Sequence, residues 1–113
     1  MNSKIWYIPA RNDRLEKKVS KCDAVARTYS AIAFAYLDVL ERNDAVKSFE
    51  CNVPISDEYV SDFVITKTNG EIVVRECIER NKISKPMNVK LLEMSHNYWT
   101  NCGITDWGLV INE

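Results

Sequence analysis

Apolar residues between positions 23 and 42 recur at helical spacing. Val25, Tyr29, Ile32, Tyr36, Val39 and Leu40 share a stripe, and Ala24, Ala26, Ala31, Ala33 and Ala35 permit close packing. This predicts a long helix over Asp23–Arg42, capped by Asp23 and ended by Asn43-Asp44. The pattern then changes. Val46–Val53 reads as a strand closed by Pro54, and Tyr59–Lys67 and Glu71–Glu79 are β-rich runs joined through Thr68-Asn69-Gly70. A two-residue loop would pair Asp62 with Cys77. A three-residue loop, with Gly70 as a left-handed bulge, pairs Lys67 with Glu71 and sets Asp62 beside Glu76; the glycine favours this register. Apart from these acids and Arg75, the hairpin is apolar on both faces (Phe63, Ile65, Val73; Val64, Ile72, Val74), which suits strands covered from both sides. Ser84-Lys85-Pro86 starts a second helix that runs to about Trp99. Met87, Leu91, Met94 and Tyr98 form its stripe, with Leu92 and Trp99 beside it, and Asn101-Cys102-Gly103 closes it. Trp107–Ile111 is a last strand, expected to run parallel to the third because a helix joins the two. The order helix, three strands, helix, strand predicts an α/β fold with a mixed central sheet and helices on both faces.

At 113 residues the chain has room for one domain with its own core. Its 46% apolar and 27% charged content excludes a disordered or fibrous chain. The longest apolar run, Ala31–Leu37, is too short to span a membrane, and the first residues lack the apolar stretch of a signal peptide. A cytoplasmic protein without membrane contact is expected. Charge is uneven: Lys4, Arg11, Arg14, Lys17, Lys18 and Lys21 face only Asp13 and Glu16 within residues 1–22, while the whole chain carries −1. Residues 1–22 therefore read as a basic arm, with a short strand at Ile5–Ile8, on a body formed by residues 23–113. Such an arm suits phosphates or an acidic partner, or simply water.

Cys22, Cys51, Cys77 and Cys102 are spaced too widely for a Cys-x-x-Cys zinc or redox motif, so reduced, buried thiols are the expectation. His96 is the only histidine, and nothing near it in sequence supports a Cys-His nucleophile pair.

Two carboxylates side by side on central strands repel each other and lose hydration unless a cation or hydrogen-bond donors neutralise them. Hard Mg²⁺ or Mn²⁺ would do so, held by Asp62, Glu76 and the main-chain carbonyl of Cys77. The alternative is that Glu76 pairs with Arg75, Arg80 or a helix lysine, or lies at a solvated strand end.

The element order with Ser61-Asp62-Phe63, Asn69-Gly70 and Arg75-Glu76-Cys77-Ile78 resembles the PD-(D/E)XK nuclease core. More narrowly, Lys85-Pro86-Met87, Val89-Lys90-Leu91-Leu92, Tyr98-Trp99 and Gly103-Ile104-Thr105-Asp106-Trp107 are similar to the TnsA-like N-terminal endonuclease domain of heteromeric transposases. The similarity covers roughly residues 25–113 and implies a metal-dependent DNA-cutting fold of mobile elements, with Asp62 and Glu76 as catalytic acids. Two parts depart from the pattern. The family's lysine falls at Ile78, and its first-helix glutamate falls near Ala33. Lys90, Lys85 or Arg80 could substitute for the lysine, with Lys90 the foremost choice. The resemblance thus implies a degenerate active site in a DNA-binding protein or a subunit of a transposition or recombination complex. Two other readings stay open: an active endonuclease with a migrated lysine, and a phage or mobile-element regulator that binds a protein partner, as in a defence complex. Lys17, Lys18, Lys21, Lys82, Lys85 and Lys90 are the candidate DNA-contacting cations.

Overall fold

A computed structural model of the chain describes residues 4–8, 16–17, 20–22, 26–28 and 30–112. Strands β1 (Lys4–Ile8), β2 (Glu16–Lys17) and β3 (Ala26–Arg27) precede helix α1 (Ala31–Arg42). Strands β4 (Val46–Pro54), β5 (Val60–Lys67) and β6 (Ile72–Cys77) follow. A 3₁₀ turn (Arg80–Lys82) leads into helix α2 (Pro86–Asn101) and strand β7 (Asp106–Asn112). The main sheet is five-stranded in the order β1-β7-β6-β5-β4, while β2 and β3 pair separately. β4, β5 and β6 form an antiparallel meander, and α2 carries the chain across so that β7 lies parallel to β6, as its helical connection requires. β1 pairs in parallel with the far side of β7, so residues 4–8 belong to the sheet and not to a detached arm.

The first helix is shorter than its apolar periodicity predicts. It begins after Ser30, whose Oγ accepts the Ala33 amide at 3.0 Å. Residues 23–25, including the expected Asp23 cap, lie outside the described residues, and Ala26–Arg27 are extended. Val25, Thr28 and Tyr29 favour extended backbone, whereas Ser30 satisfies the open amides of the first turn.

α1 covers one sheet face, packing Ile32, Ala33, Tyr36, Leu37 and Leu40 with Phe49, Phe63, Ile65 and Val73. α2 covers the other with Leu92 and Trp99 against Val74, Trp107, Leu109 and Ile111. Its buried side is Leu92, Ser95 and Trp99, not the expected stripe. Met87 is 65% exposed and Tyr98 40% exposed. A serine at the centre of the inward face conceals that face from a reading by hydrophobicity alone. No helix among the described residues is long and apolar enough to cross a membrane.

The Thr68-Asn69-Gly70 loop has the three-residue form. Lys67 N donates to Glu71 O at 2.8 Å, Gly70 N to Lys67 O at 2.9 Å, and Gly70 has φ 87°. The pairs Thr66↔Ile72 through Phe63↔Arg75 follow, and the next step places Asp62 opposite Glu76. At that step the sheet turns over. Cys51 and its partner Phe63 lie on the α1 side, yet Val53 packs on the α2 side and its partner Ser61 hydrogen-bonds α2. Residues two apart in a regular strand share a face. The left-handed Asn52 (φ 55°), between Cys51 and Val53, is where the alternation breaks.

Candidate carboxylate site

The β5–β6 ladder ends at Phe63↔Arg75, and beyond it the side chains of Asp62 and Glu76 take the place of its carbonyls, while Glu76 stays paired with Leu109 of β7. Asp62 N donates to Glu76 Oε1 at 2.8 Å, and Cys77 N donates to Asp62 Oδ2 at 2.8 Å. Each carboxylate thus receives an amide of the opposite strand.

Glu76 is 0% exposed. Its Oε2 accepts from Ser61 Oγ at 2.7 Å and from Ser95 Oγ. The serines are oriented in turn. Trp99 Nε1 donates to Ser61 Oγ at 2.9 Å, and Trp107 Nε1 to Ser95 Oγ at 3.0 Å. An indole N–H can only donate, so each serine accepts from a tryptophan and aims its own hydrogen at Glu76. His96 rests edge-on against Trp107, with ring centres 5.1 Å apart. Burial pushes the Glu76 carboxyl above its ordinary range, while the donors from Ser95, Asp62 N, Ser61 and Tyr59 pull the other way.

None of the cationic partners expected for Glu76 is used. Arg75, its neighbour, lies on the α1 side and pairs with Asp106 at 2.8 Å, with further bonds to Val74 O and Asp106 O. Glu76 is not at a solvated strand end either. Sequence reasoning missed its true partners, Ser61 and Ser95, and the tryptophans Trp99 and Trp107 that orient them. The one available signal was a lone serine flanked by apolar positions on α2.

Asp62 has a different setting. It lines a cleft of about 300 Å³ with Tyr59, Cys77, Ile78, Glu79, Lys82 and Asn88, which Ser30 at the start of α1 also borders. Burial and then the charge of Glu76 push its carboxyl up to about 7, against the Cys77 amide that favours the anion. Burial also drives the thiol of Cys77 and the phenol of Tyr59 upward, so neither supplies an anion.

The cations expected near the acids are dispersed. Lys90 lines a separate groove on the outer side of α2, with Glu58, Met87, Leu91, Glu93, Met94, Asn97 and Tyr98. Lys82 does border the Asp62 cleft, 3.3 Å from Glu79. Lys85 is exposed ahead of α2. Lys21 Nζ donates to Leu40 O at 3.2 Å and to Asn43 O at 2.7 Å, closing the C-terminal end of α1. Lys18 and the side chain of Lys17 lie outside the described residues. Ile78, where the resemblance would put a lysine, borders the Asp62 cleft and packs with the α2-side core. Ala33, at the first-helix glutamate position, is 2% exposed in the α1 core.

A divalent cation here would draw on Asp62, the Cys77 carbonyl and Glu76. The donor set fits poorly, because Glu76 already accepts from a main-chain amide and two serine hydroxyls. Among the described residues, no group of three or more His, Cys, Asp or Glu is placed to hold a metal ion. All four cysteines are free, but Cys102 is exposed and not buried as expected. No protein-family model matches the chain, and a search of curated proteins found no match.

Proposed function

We propose that this chain is a mobile-element protein with a TnsA-like, PD-(D/E)XK nuclease fold that has lost cutting activity and acts in DNA binding or as a subunit of a transposition or recombination complex. The strand and helix order supports the fold part of this reading: α1, the β4-β5-β6 meander, α2 and parallel β7, with Asp62 N donating to Glu76 and Cys77 N to Asp62 where the hairpin ladder ends. The observation that carries the loss of activity is the use of Glu76. A metal-binding carboxylate must offer lone pairs to the ion, and here Ser61, Ser95 and the Asp62 amide already draw on them. The apolar Ala33 and Ile78 and the distant Lys90 point the same way, since no described lysine other than Lys82 borders the Asp62 cleft.

The test is incubation of the protein with supercoiled plasmid in Mg²⁺ and in Mn²⁺, beside fluorescence-anisotropy titrations of duplex DNA over a salt series. No nicking is expected, with DNA affinity that falls steeply as salt rises. Metal-dependent nicking abolished by Asp62→Ala would establish the active-endonuclease alternative instead.

The exposed outer side of α2 favours a second reading, that of a regulator docking on protein. Met87 and Tyr98 stand in solvent next to Leu91 and Met94. Absence of DNA binding even at low salt, with a protein recovered through wild-type chain but not through Met87→Asp, would move this reading ahead.

A further inference from the structure

We propose that the Asp62 cleft binds a guanidinium group carried on an aliphatic stem, as in an arginine side chain or a small arginine-like molecule. The proposal goes beyond the DNA reading, since neither DNA nor a metal ion enters it. It starts from one open carboxylate oxygen. Among the described residues, the Asp62 side chain receives a single hydrogen bond, from Cys77 N to Oδ2. No described side-chain oxygen is both sealed from solvent and without a partner, so Oδ1 opens on the cleft that Asp62 lines. An ionised carboxylate accepts and cannot donate, and Oδ1 offers its lone pairs to whatever enters.

The other polar atoms around the cleft are mostly acceptors too. Asn88 gives its Nδ2 to Lys82 O at 2.9 Å, and its Oδ1 accepts from none of the described residues. Glu79 adds a second carboxylate at the rim. The one cation among the described lining residues, Lys82, stands 3.3 Å from it, and both side chains are about half exposed. The lining therefore keeps a net negative charge. An anion would meet two carboxylates and an ammonium that is already engaged, whereas a cation with several donors meets unused acceptors. Guanidinium suits the cleft best, with five N–H groups, no acceptor and weaker hydration than an ammonium. Ile78, Leu91 and Leu92 supply an apolar stretch of wall along which methylene groups can lie. The volume, about 300 Å³, stands at the lower end of small-molecule clefts, so one side chain or a molecule of that size fills it.

The experiment is a titration of the folded full chain, labelled with nitrogen-15, at pH 8, read by backbone amide shifts. The probes are butylguanidinium, its uncharged isostere butylurea, and a blocked Gly-Arg-Gly peptide. Butylguanidinium should shift the amides of Cys77, Ile78 and Asn88 saturably, with Kd in the millimolar range, and butylurea should not bind. A peptide that binds more tightly than butylguanidinium identifies the occupant as an arginine of another protein; a peptide that binds more weakly identifies a free small molecule. Asp62→Asn keeps an oxygen for the Cys77 amide and should weaken butylguanidinium binding about tenfold or more. Glu79→Lys, an exposed change that spares Asp62, should weaken it several-fold, while Glu93→Gln in the outer groove of α2 should leave it unchanged. Equal binding of butylurea, unchanged affinity in both cleft variants, or shifts confined to residues outside the cleft would each overturn the proposal.

Discussion

Glu76 shows how a carboxylate is kept in a dry interior without a cation. Two tryptophans fix two serine hydroxyls, and those hydroxyls and an amide point their hydrogens at one carboxylate. Replacing Glu76 with Gln removes the charge and puts an NH₂ group either against the Asp62 amide, which cannot accept, or against serine hydroxyls that must then give up their hydrogen bonds to the side chain. The loss should be about 2–4 kcal/mol in urea unfolding, against near-neutral effects at exposed carboxylates such as Glu93. Asp62 gives a pH dependence whose sign is fixed by the direction of its shift. Its carboxyl moves from an ordinary 3.8 up to about 7, so the folded chain binds the proton more tightly than the unfolded chain does. That contribution is complete below about 4 and is lost as pH rises through 7. Glu76 is shifted the same way. The melting temperature should therefore be higher at pH 5 than at pH 8, and Asp62→Asn should flatten the difference. A stability profile that rises from pH 5 to pH 8 would contradict this assignment.

At the scale of elements, the hairpin was the most readable part because one residue sets its register. Gly70 adopts φ 87°, and an added Cβ there would meet no atom within 4 Å. Gly70→Ala should thus cost only the backbone conformation, about 1 kcal/mol, measurable by chemical denaturation. Both strand edges, the α2 crossover and the parallel β7 also follow from apolar runs and connection length. The face of α2 did not. Its apolar stripe is wider than its buried side, and the position that settles the orientation, Ser95, is polar because it serves Glu76. Ser95→Ala should cost about 2 kcal/mol, since it leaves the Trp107 indole N–H unpaired, whereas Met87→Ala should stay within about 0.5 kcal/mol of wild type. The reversal at Asn52 was equally hidden, because nothing in a β-rich run of residues announces a single left-handed step. The pairing of Asp62 with Glu76 was legible; that the two carboxylates would take the place of a main-chain ladder was not.

For the whole molecule, two cores lie on opposite faces of one sheet. Because the Glu76 carboxylate already accepts from two serines and an amide, chelation should leave the melting curve unchanged, and a drop of several degrees in EDTA would place a structural cation at Asp62. The placement of β1 has a kinetic consequence. The meander β4-β5-β6 is closed by short loops, so it can zip from the Gly70 turn within microseconds once α1 packs on it. β1 has no such local partner. Lys4 lies beside Gly108, more than a hundred residues along the chain, and β7 must itself first dock on β6. The amides of residues 4–8 should be the last in the main sheet to gain protection in pulsed hydrogen exchange during refolding, and the first to lose it in the native state. During synthesis, residues 4–8 wait for more than a hundred further residues to be made before they find their neighbour.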